Sequence, residues 1–306
     1  MARTSSISVV IPHLNQEDDL RRCLAALHAQ RGEVDLADLI VVDNGSTRLP
    51  EAVCAEVPGV TLLAEPAPGP GLARNLGVAH ATGTILAFID ADCIPGGGWL
   101  AAVARAFEDP DTQVVGGDVR IATSAAVSRQ VAAYEQVFAY RMDKYIAKQG
   151  FTGTGNLAVR REVFDRVGPF CGIGRAEDRD WGRRATALGH AIRYRADMVV
   201  FHPPRPTFAE LARKWDRQIH HDYADVVARR SGRLAWSARA AAVAASPLVS
   251  AGEVALTPRL ASPLDRVRAI ACLVRIRLYR ARRMLGMLGS VDLSLAPRWN
   301  REAGRS

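Results

Sequence analysis

Short apolar runs and amphipathic segments alternate along the first ninety residues of the chain. The runs are rich in β-branched residues, and the segments between them carry apolar residues at helical spacing. Strands are predicted at residues 7–11, 39–42, 60–64 and 85–89, and helices at residues 17–30 and 72–81. This βαβα order predicts an α/β fold with a parallel sheet and helices on both of its faces.

The pattern changes in the last third of the chain, where helical spacing replaces the strands. Thr207 and Glu210 form a capping box at the start of a helix. Further along, apolar residues recur at steps of three and four, at Leu264, Val267, Ala271, Val274, Leu278, Ala281, Leu285 and Leu288. We therefore expect one domain over residues 1–206 and a helical extension over residues 207–306 that contains a long amphipathic helix.

Charge is concentrated in the same extension. The 306 residues are 48% hydrophobic and 24% charged, which is typical of a globular chain that can bury a large core. Residues 259–306 hold eleven arginines against Asp265, Asp292 and Glu302, so 11 − 3 gives the whole net charge of +8. A basic tail on a neutral body favours an anionic surface as the partner of the tail, and no nucleic-acid-binding motif is present.

The flanks of the predicted amphipathic helix carry Arg268, Arg275, Arg277 and Arg282 without an acidic complement. A parallel homodimer would bring these like charges together, so it is disfavoured. Two arrangements remain open. The helix packs back on its own chain, or its apolar residues, over positions 264–288, lie in an anionic membrane surface.

No segment is predicted to cross a membrane. The longest uncharged stretch, residues 240–252, is too short and contains Pro247, and the apolar run before Pro12 is too short for a signal peptide. Five cysteines without a C-x-x-C pair are typical of reduced thiols. We therefore expect the mature chain to start at this N-terminal segment. We also expect a cytoplasmic protein, which is peripheral on the inner face of the cell membrane if its long helix binds lipid.

Two carboxylates follow the apolar run at residues 85–89. Asp90 and Asp92 are two residues apart, so they leave the predicted sheet on the same side and can share a hard divalent cation. The alternative is a pair of solvated turn carboxylates, which the buried strand before them disfavours. Cys93 is expected to be a small buried hydrophobe. His202 ends a later apolar run, where an imidazole can complete a metal shell.

Other polar residues are expected at the same edge of the sheet. Asp43 and the adjacent amide follow the second strand, and we expect an exposed Asp43 carboxylate that accepts a hydrogen bond from a base imide, or else stabilises its own turn. Gly69 and Gly71 precede a helix whose first turn carries Arg74, so N–H groups and a guanidinium can face a phosphate. A solvated Arg74 is the alternative. The absence of G-x-G-x-x-G and Walker A sequences excludes dinucleotide and P-loop sites.

Six ordered motifs resemble those of family 2 glycosyltransferases over roughly residues 5–205. They are VVIPHLN, VVDNGST, GLARNLGVAHATG, FIDAD, GTGNLAVRREVFDRVGPF and EDRDWGRR, followed by the late His202. The resemblance implies a GT-A fold, with a Rossmann-like, mixed and mostly parallel sheet, and inverting transfer of a sugar from a nucleotide-sugar. It also implies a Mn²⁺ or Mg²⁺ cofactor and a hydroxyl acceptor on a glycan or lipid-linked sugar, as in polysaccharide or glycolipid synthesis.

The acidic residues receive roles in this setting. We expect Asp92 of the D-x-D sequence to bind the metal directly, and Asp90 to hold the ribose or a metal-bound water. Inverting transfer requires a base at the mouth of the site. By resemblance Asp178 is that base, Glu177 supports the acceptor or the metal, and Asp180 or Arg183 is a local structural partner. A match to the helix dipole is the alternative reason for an acidic first turn.

The resemblance also implies nucleotide and acceptor contacts. The nucleotide set comprises Pro12, His13, Asn15, Asp43, Asn44, Arg74 and Asp90. The pair His13-Leu14 departs from the Thr-Tyr pair that is common in the family, so the identity of the base stays open. Asn156 and Trp181 are assigned to the acceptor pocket, because aromatic faces pack on sugars, although core packing of the indole is equally consistent.

Two other functions are compatible with such a fold. A sugar nucleotidyltransferase would share the sheet and the metal acids, but it needs a basic, glycine-rich N-terminal signature that VVIPHLN lacks. A catalytically inactive scaffold or binding protein would retain the fold alone. The presence of Asp43, Asp92, Asp178 and His202 together disfavours the scaffold.

Overall fold

The computed structural model of the protein describes residues 6–122, 128–227 and 232–289, and these contain an eight-stranded mixed sheet. The strands are β1 (Ile7–His13), β2 (Leu36–Asp43), β3 (Val60–Ala64), β4 (Ile85–Ile89), β5 (Ile94–Pro95), β6 (Val114–Ile121), β7 (Asn156–Arg160) and β8 (Ile192–His202). Their order is β3-β2-β1-β4-β7-β6-β8-β5. Strands β3, β2, β1 and β4 pair in parallel, whereas β7 pairs antiparallel with β4 and β6, and β5 with β8. The mixed α/β sheet is confirmed, with a larger antiparallel part than the sequence pattern indicates.

Helices connect the strands and make up most of the described residues after β8. Those in the described residues are α1 (Glu17–His28), α2 (Glu51–Ala55), α3 (Pro70–His80), α4 (Trp99–Ala106), α5 (Arg129–Phe138), α6 (Met142–Gln149), α7 (Arg161–Val167), α8 (Glu177–Ala187), α9 (Phe208–Val227), α10 (Gly232–Ala245), α11 (Pro247–Leu256) and α12 (Pro263–Gly286). Helices α1 and α3 are the two predicted between the first strands. At the start of α9, the backbone N–H of Glu210 donates to the Thr207 hydroxyl at 3.3 Å, as the capping box predicts.

The central strands are buried on both faces. Alternate residues of β1 and β4, such as Val9 and Ala87, pack in one cluster with α1 and α4. The residues between them, such as Val10 and Phe88, pack in a second cluster with α3, α7 and α8. Because side chains alternate across a strand, a strand covered on both faces reads as a continuous apolar run. This is why β1, β2 and β4 were recognisable in the sequence.

The chain divides into two compact units, and the predicted domain boundary needs one correction. The described part of the first unit comprises residues 6–120 and 140–202, and the rest belongs to the second. The predicted boundary after residue 206 is close to the observed change at residue 202. However, residues 121–139 were assigned to the first domain and belong to the second unit, because α5 packs in one buried cluster with α12.

The long amphipathic helix is confirmed as α12, but it packs through a face that the sequence analysis did not single out. Its buried residues are Ala269, Cys272, Leu273, Ile276, Arg280, Ala281 and Met284. Of the row predicted from the three- and four-residue spacing, Ala281 alone belongs to this buried face, while Leu264, Val267, Val274, Leu278 and Leu285 are exposed. No helix in the described part of the chain is both long enough and apolar enough to span a bilayer.

Candidate active site

The predicted acidic pair lies at the carboxyl end of β4. Ligand atoms of Asp90, Asp92 and Cys93 all fall within 4.8 Å of one another. Burial raises the pKa of Asp90 above its ordinary value, and Asp92 adds to the rise, although Arg74 opposes it. Burial also raises the pKa of the Cys93 thiol, which therefore stays protonated and points at Asp92 Oδ1, 3.7 Å away. Crowded carboxylates of this kind are relieved by a bound cation.

His202 is brought to the acidic pair by the pairing of two distant strands. In the antiparallel β5–β8 ladder, Ile94 lies opposite Phe201, so the next residue of β8 faces the end of the D-x-D segment. His202 Nε2 lies 3.3 Å from Asp92 Oδ2. Two carboxylates and an imidazole form a donor set that suits Mn²⁺ or Mg²⁺, with the carboxylate oxygens as the hard ligands. The residues present therefore fit a divalent cation.

Tyr140 is a site residue that the sequence analysis missed. Its phenol oxygen lies 2.9 Å from His202 Nε2, and the two rings are tilted by 36° with centroids 4.7 Å apart. The residue has a φ of 51°, a left-handed conformation that is uncommon for a side chain of this size. Nothing in the local sequence marks this tyrosine, because its position depends on the placement of His202, sixty-two residues later.

Arg74 joins the acidic pair to the first turn of α8. The side chain is 3% exposed, and its guanidinium contacts Asp90 Oδ1 at 2.5 Å and Glu177 Oε1 at 3.1 Å. The predicted alternative of a solvated arginine is therefore wrong. Gly71 permits the approach of α3, because a Cβ at that position would lie 2.4 Å from the carbonyl oxygen of Cys171 and 3.4 Å from Glu177 Cβ. These two ion pairs place the Arg74 guanidinium between Asp90 and the first turn of α8.

Asp178 follows Glu177 at the start of α8, and its carboxyl group has a raised pKa. Burial raises the pKa of Asp178 to about 6, and the neighbouring Glu177 adds to the rise. Its Oδ1 accepts a hydrogen bond from the Arg179 backbone N–H at 2.7 Å. A carboxylate whose pKa lies near neutral pH can take up a proton and release it again during turnover. Asp180 instead pairs with Arg184 one helical turn later, at 2.9 Å.

The predicted exposed position of Asp43 is wrong. Asp43 is 2% exposed, its Oδ1 lies 2.9 Å from His13 Nδ1, and its Oδ2 accepts from the backbone N–H groups of Gly45 and Ser46. Burial acts to raise the pKa of Asp43, but the bonds from His13 and Ser46 outweigh it and keep the pKa below its ordinary value. Asp43 therefore stabilises its own turn, which was the alternative interpretation.

His13 and Asn15 tie the ends of β1 and β2 together. His13 Nε2 accepts from the Gln16 backbone N–H at 3.1 Å, so Nδ1 carries the hydrogen and donates it to Asp43. Asn15 Oδ1 accepts from the Thr47 backbone N–H at 2.9 Å, and the Asn15 side chain is exposed. Pro12 is half-buried. Of the predicted nucleotide contacts at the carboxyl end of β1, Asn15 is the most accessible.

Asn44 was predicted to contact the nucleotide, but its side chain is committed to the loop before α3. It is 3% exposed, its amide donates to the carbonyls of Glu65 and Ala67, and its oxygen accepts from Gly69 N–H at 2.7 Å. Gly69 has a φ of 131°, which favours glycine at this turn. Asn44 thus fixes the turn that begins α3 and, with it, the position of Arg74.

The assignment of Asn156 and Trp181 to an acceptor pocket is wrong, because both side chains are in the core. Asn156 is fully buried, with its amide donating to the carbonyls of Asp118 and Met198 and its oxygen accepting from the Trp99 indole. Trp181 is 1% exposed, donates to the Gly168 carbonyl, and stacks on Phe164 at 5.8 Å. Core packing was the alternative interpretation of Trp181, and it is confirmed.

Comparison with known proteins identifies the family of the chain. Residues 8–168 match the model of the family described as Glycosyl transferase family 2. The chain belongs to glycosyl transferase family 2. One relative in this family is the glycosyltransferase AglE of Haloferax volcanii, which is 31% identical over 214 residues, covering 68% of this chain and 70% of AglE.

Solved structures of glycosyltransferases share the fold. Glucosyl-3-phosphoglycerate synthase from Mycobacterium tuberculosis, in complex with Mn²⁺ and UDP-glucose, aligns with a TM-score of 0.52 and 25% identity over 72% of this chain and 78% of that one. The mannosyltransferase PcManGT from Pyrobaculum calidifontis, in complex with GDP-mannose and Mn²⁺, aligns with a TM-score of 0.61 and 17% identity over 94% of this chain and 87% of that one. The second likeness shows the fold, and the expected GT-A arrangement is confirmed.

Proposed function

We propose that this family 2 glycosyltransferase transfers a sugar with inversion, from a nucleoside-diphosphate sugar to a hydroxyl group of a glycan or lipid-linked acceptor. The observation that carries the proposal is the Arg74 bridge. It joins Asp90 of the D-x-D segment to Glu177 in the first turn of α8 through one guanidinium. Donor chemistry and proton removal then fall within one site.

The donor half of the site holds the diphosphate. Asp92 and His202 would bind the cation directly, with Asp90 on the ribose or on a metal-bound water. When bound, Mn²⁺ or Mg²⁺ neutralises the charge of the departing diphosphate. Support comes from the Mycobacterium tuberculosis synthase structure, which contains Mn²⁺ and UDP-glucose. We propose that the nucleobase of the donor binds near Pro12 and Asn15. The buried pair of His13 and Asp43 would support these residues from the core side.

The acceptor half supplies the base. Asp178 removes the proton from the acceptor hydroxyl as its oxygen attacks the anomeric carbon from the face opposite the diphosphate. The bond between the anomeric carbon and the diphosphate oxygen breaks, the electron pair leaves with the nucleoside diphosphate, and the sugar inverts its configuration. Glu177 pairs with Arg74 and holds the first turn of α8 in place. A carboxylate whose pKa is about 6 can serve near neutral pH.

A lipid-linked acceptor would place the enzyme at a membrane. We propose that it acts in polysaccharide or glycolipid synthesis, peripherally on the inner face of the cell membrane. The basic charge of the C-terminal residues supports this location.

The test is a donor screen followed by product analysis. UDP-, GDP- and TDP-sugars are incubated with Mn²⁺, the enzyme and a panel of glycan and lipid-linked acceptors, and release of nucleoside diphosphate is measured. The anomeric configuration of the product is then determined by NMR. We expect one donor to be consumed, with an inverted product. A retained configuration would contradict the role of Asp178, and nucleotide-sugar synthesis from a sugar phosphate would support the nucleotidyltransferase instead.

A further inference from the structure

Exposed apolar side chains are concentrated on two helices of the second unit. Of the twelve large hydrophobic residues that are exposed in the described part of the chain, eight lie on α11 and α12. We call them the α11–α12 surface, and they are Leu248, Val249, Leu256, Leu264, Val267, Val274, Leu278 and Leu285. Leu248, Val249 and Leu256 are 85–86% exposed, close to the exposure of an extended chain. Scattered single residues need no explanation, but a concentration of this kind indicates a partner.

The exposure does not arise from a loosely attached helix. Helix α12 already packs on its own unit through a second apolar row that includes Leu273 and Ile276, both fully buried. At 100° per residue, the exposed row lies on the opposite side of the helix from this buried row. Val254 of α11 packs in the same buried cluster, so both helices are held in place. The exposed row is therefore available to something outside this unit.

The charge next to this row is positive. Helix α12 contains seven arginines and one acidic residue, Asp265, which gives 7 − 1 = +6. Asp265 pairs with Arg268, whereas Arg275 and Arg282 are exposed on the same flank at a seven-residue spacing, with the Arg275 guanidinium 3.8 Å from the centroid of the Phe208 ring. Side chains seven residues apart lie on one edge of a helix. The exposed apolar row is thus bordered along its length by cationic side chains.

We propose that the α11–α12 surface docks on an anionic lipid bilayer, with its apolar residues below the headgroups and the arginine edge of α12 among the lipid phosphates. An apolar row bordered by arginines is the arrangement by which interfacial helices bind anionic lipids. A second copy of the chain fits less well, because a parallel pairing of this face sets arginine edges side by side. A lipid surface supplies both the apolar phase and the negative charge. The inference adds a defined surface to the proposed function.

Vesicle flotation tests the proposal without any substrate. The full chain is mixed with vesicles of phosphatidylcholine alone, or of phosphatidylcholine with phosphatidylglycerol, and the bound fraction is measured at low and high salt. We expect binding to the anionic vesicles and its loss at high salt. The double variant Val274→Ser with Leu278→Ser should lower the partition coefficient by at least about tenfold, since burying one leucine side chain is worth at least that factor. Arg282→Glu should weaken binding as well.

Leu188→Ser is the matched control, because Leu188 is 58% exposed, close to the 53% of Leu278, but lies on the first unit. It should bind vesicles as the wild type does. All the replaced side chains are exposed, so circular dichroism should show unchanged folding. If the double variant Val274→Ser with Leu278→Ser bound anionic vesicles as strongly as the wild type, the proposal would be overturned. A concentration-dependent dimer in sedimentation that this variant abolishes while vesicle binding is absent would also overturn it. Because no sugar is involved, failure here leaves the donor screen unaffected.

Discussion

Replacing Asp178 by asparagine should abolish sugar transfer and yet stabilise the fold at pH 7. Burial and the neighbouring Glu177 raise the pKa of the Asp178 carboxyl from 3.8 to about 6. The folded protein therefore holds this proton more tightly than the unfolded chain does. An amide cannot ionise, and it keeps the oxygen that accepts from the Arg179 N–H. The substitution removes the cost of a buried charge together with the base.

The size and sign of the stability change follow from the difference between the pKa of Asp178 in the folded protein and in the unfolded chain. Below about pH 4 both states carry the proton, and the raised pKa of Asp178 favours folding relative to higher pH. As the pH rises from 4 toward 6, Asp178 ionises in the unfolded chain before it ionises in the folded protein, so its favourable contribution to folding is lost. Above pH 6 the folded protein bears the whole cost of the buried Asp178 charge. A shift of about two units corresponds to about 3 kcal/mol. Since Asp178 is partly exposed, solvent reduces this cost. We expect Asp178→Asn to raise the free energy of unfolding at pH 7 by about 1–3 kcal/mol.

Urea unfolding at pH 7 and near pH 4 measures the stability, and the donor assay measures turnover. Asp178→Asn should unfold at higher urea at pH 7, with little difference from wild type at the lower pH. Turnover should fall by at least about 10²-fold while nucleotide binding is kept. Asp180→Asn is the control, because Asp180 pairs with Arg184 on the same helix and should retain turnover. Retained turnover in Asp178→Asn, or a loss of stability at pH 7, would refute the reasoning.

Three further predictions concern residues around the acidic pair. Arg74→Met should lower the free energy of unfolding in urea titration, because it leaves two carboxylates without their cation, but by less than the about 3–5 kcal/mol of a fully buried pair, since Asp90 and Glu177 are 38% and 21% exposed; an unchanged midpoint would show that the bridge is dispensable. Tyr140→Phe should tighten Mn²⁺ binding by roughly 2–10-fold in calorimetry, since it removes the phenol that competes for His202 Nε2 but keeps the ring; weaker binding would contradict this. Gly71→Ala should weaken nucleotide binding and lower the melting temperature, because its Cβ would clash with a carbonyl, whereas Gly174→Ala, with no atom within 4 Å, should do neither.

The placement of the strand ends could be predicted because it depends on local pattern and on topology. Apolar runs identify β1, β2 and β4, and the carboxyl ends of parallel strands meet at one edge of the sheet. Asp90 and Asp92 follow from those two facts. The antiparallel pairing of β5 with β8 could not be predicted in this way, because it joins residues about a hundred positions apart. The contact of Tyr140 with His202 depends on that pairing.

Burial of polar and aromatic side chains was the part that sequence reasoning misjudged. Asn156 and Trp181 lie in segments that resemble the acceptor side of the family, but their side chains turn into the core, where each finds hydrogen-bond partners. Asp43 follows a strand as expected, yet the imidazole of His13 covers it. A motif gives the position of a residue along the chain, whereas the direction of its side chain depends on packing that only the fold supplies.

The amphipathic helix shows the same limit in another form. Its three- and four-residue spacing identified α12 correctly, but the helix has a second apolar row, with Leu273 and Ile276, and that row is the one that packs. Periodicity cannot rank two rows on one helix, because both satisfy the same spacing. The two arrangements left open from the sequence therefore do not exclude each other. Helix α12 packs on its own unit and still presents an apolar row bordered by arginines.

The central claim is that a nucleoside diphosphate binds through a cation held by the D-x-D carboxylates. The most direct measurement is calorimetric titration of UDP, GDP and TDP, with and without Mn²⁺, into the wild type and Asp92→Ala. We expect one nucleotide to bind, only with the metal, and the binding to be lost in the variant. Binding of none of them, or metal-independent binding that Asp92→Ala leaves intact, would contradict the claim.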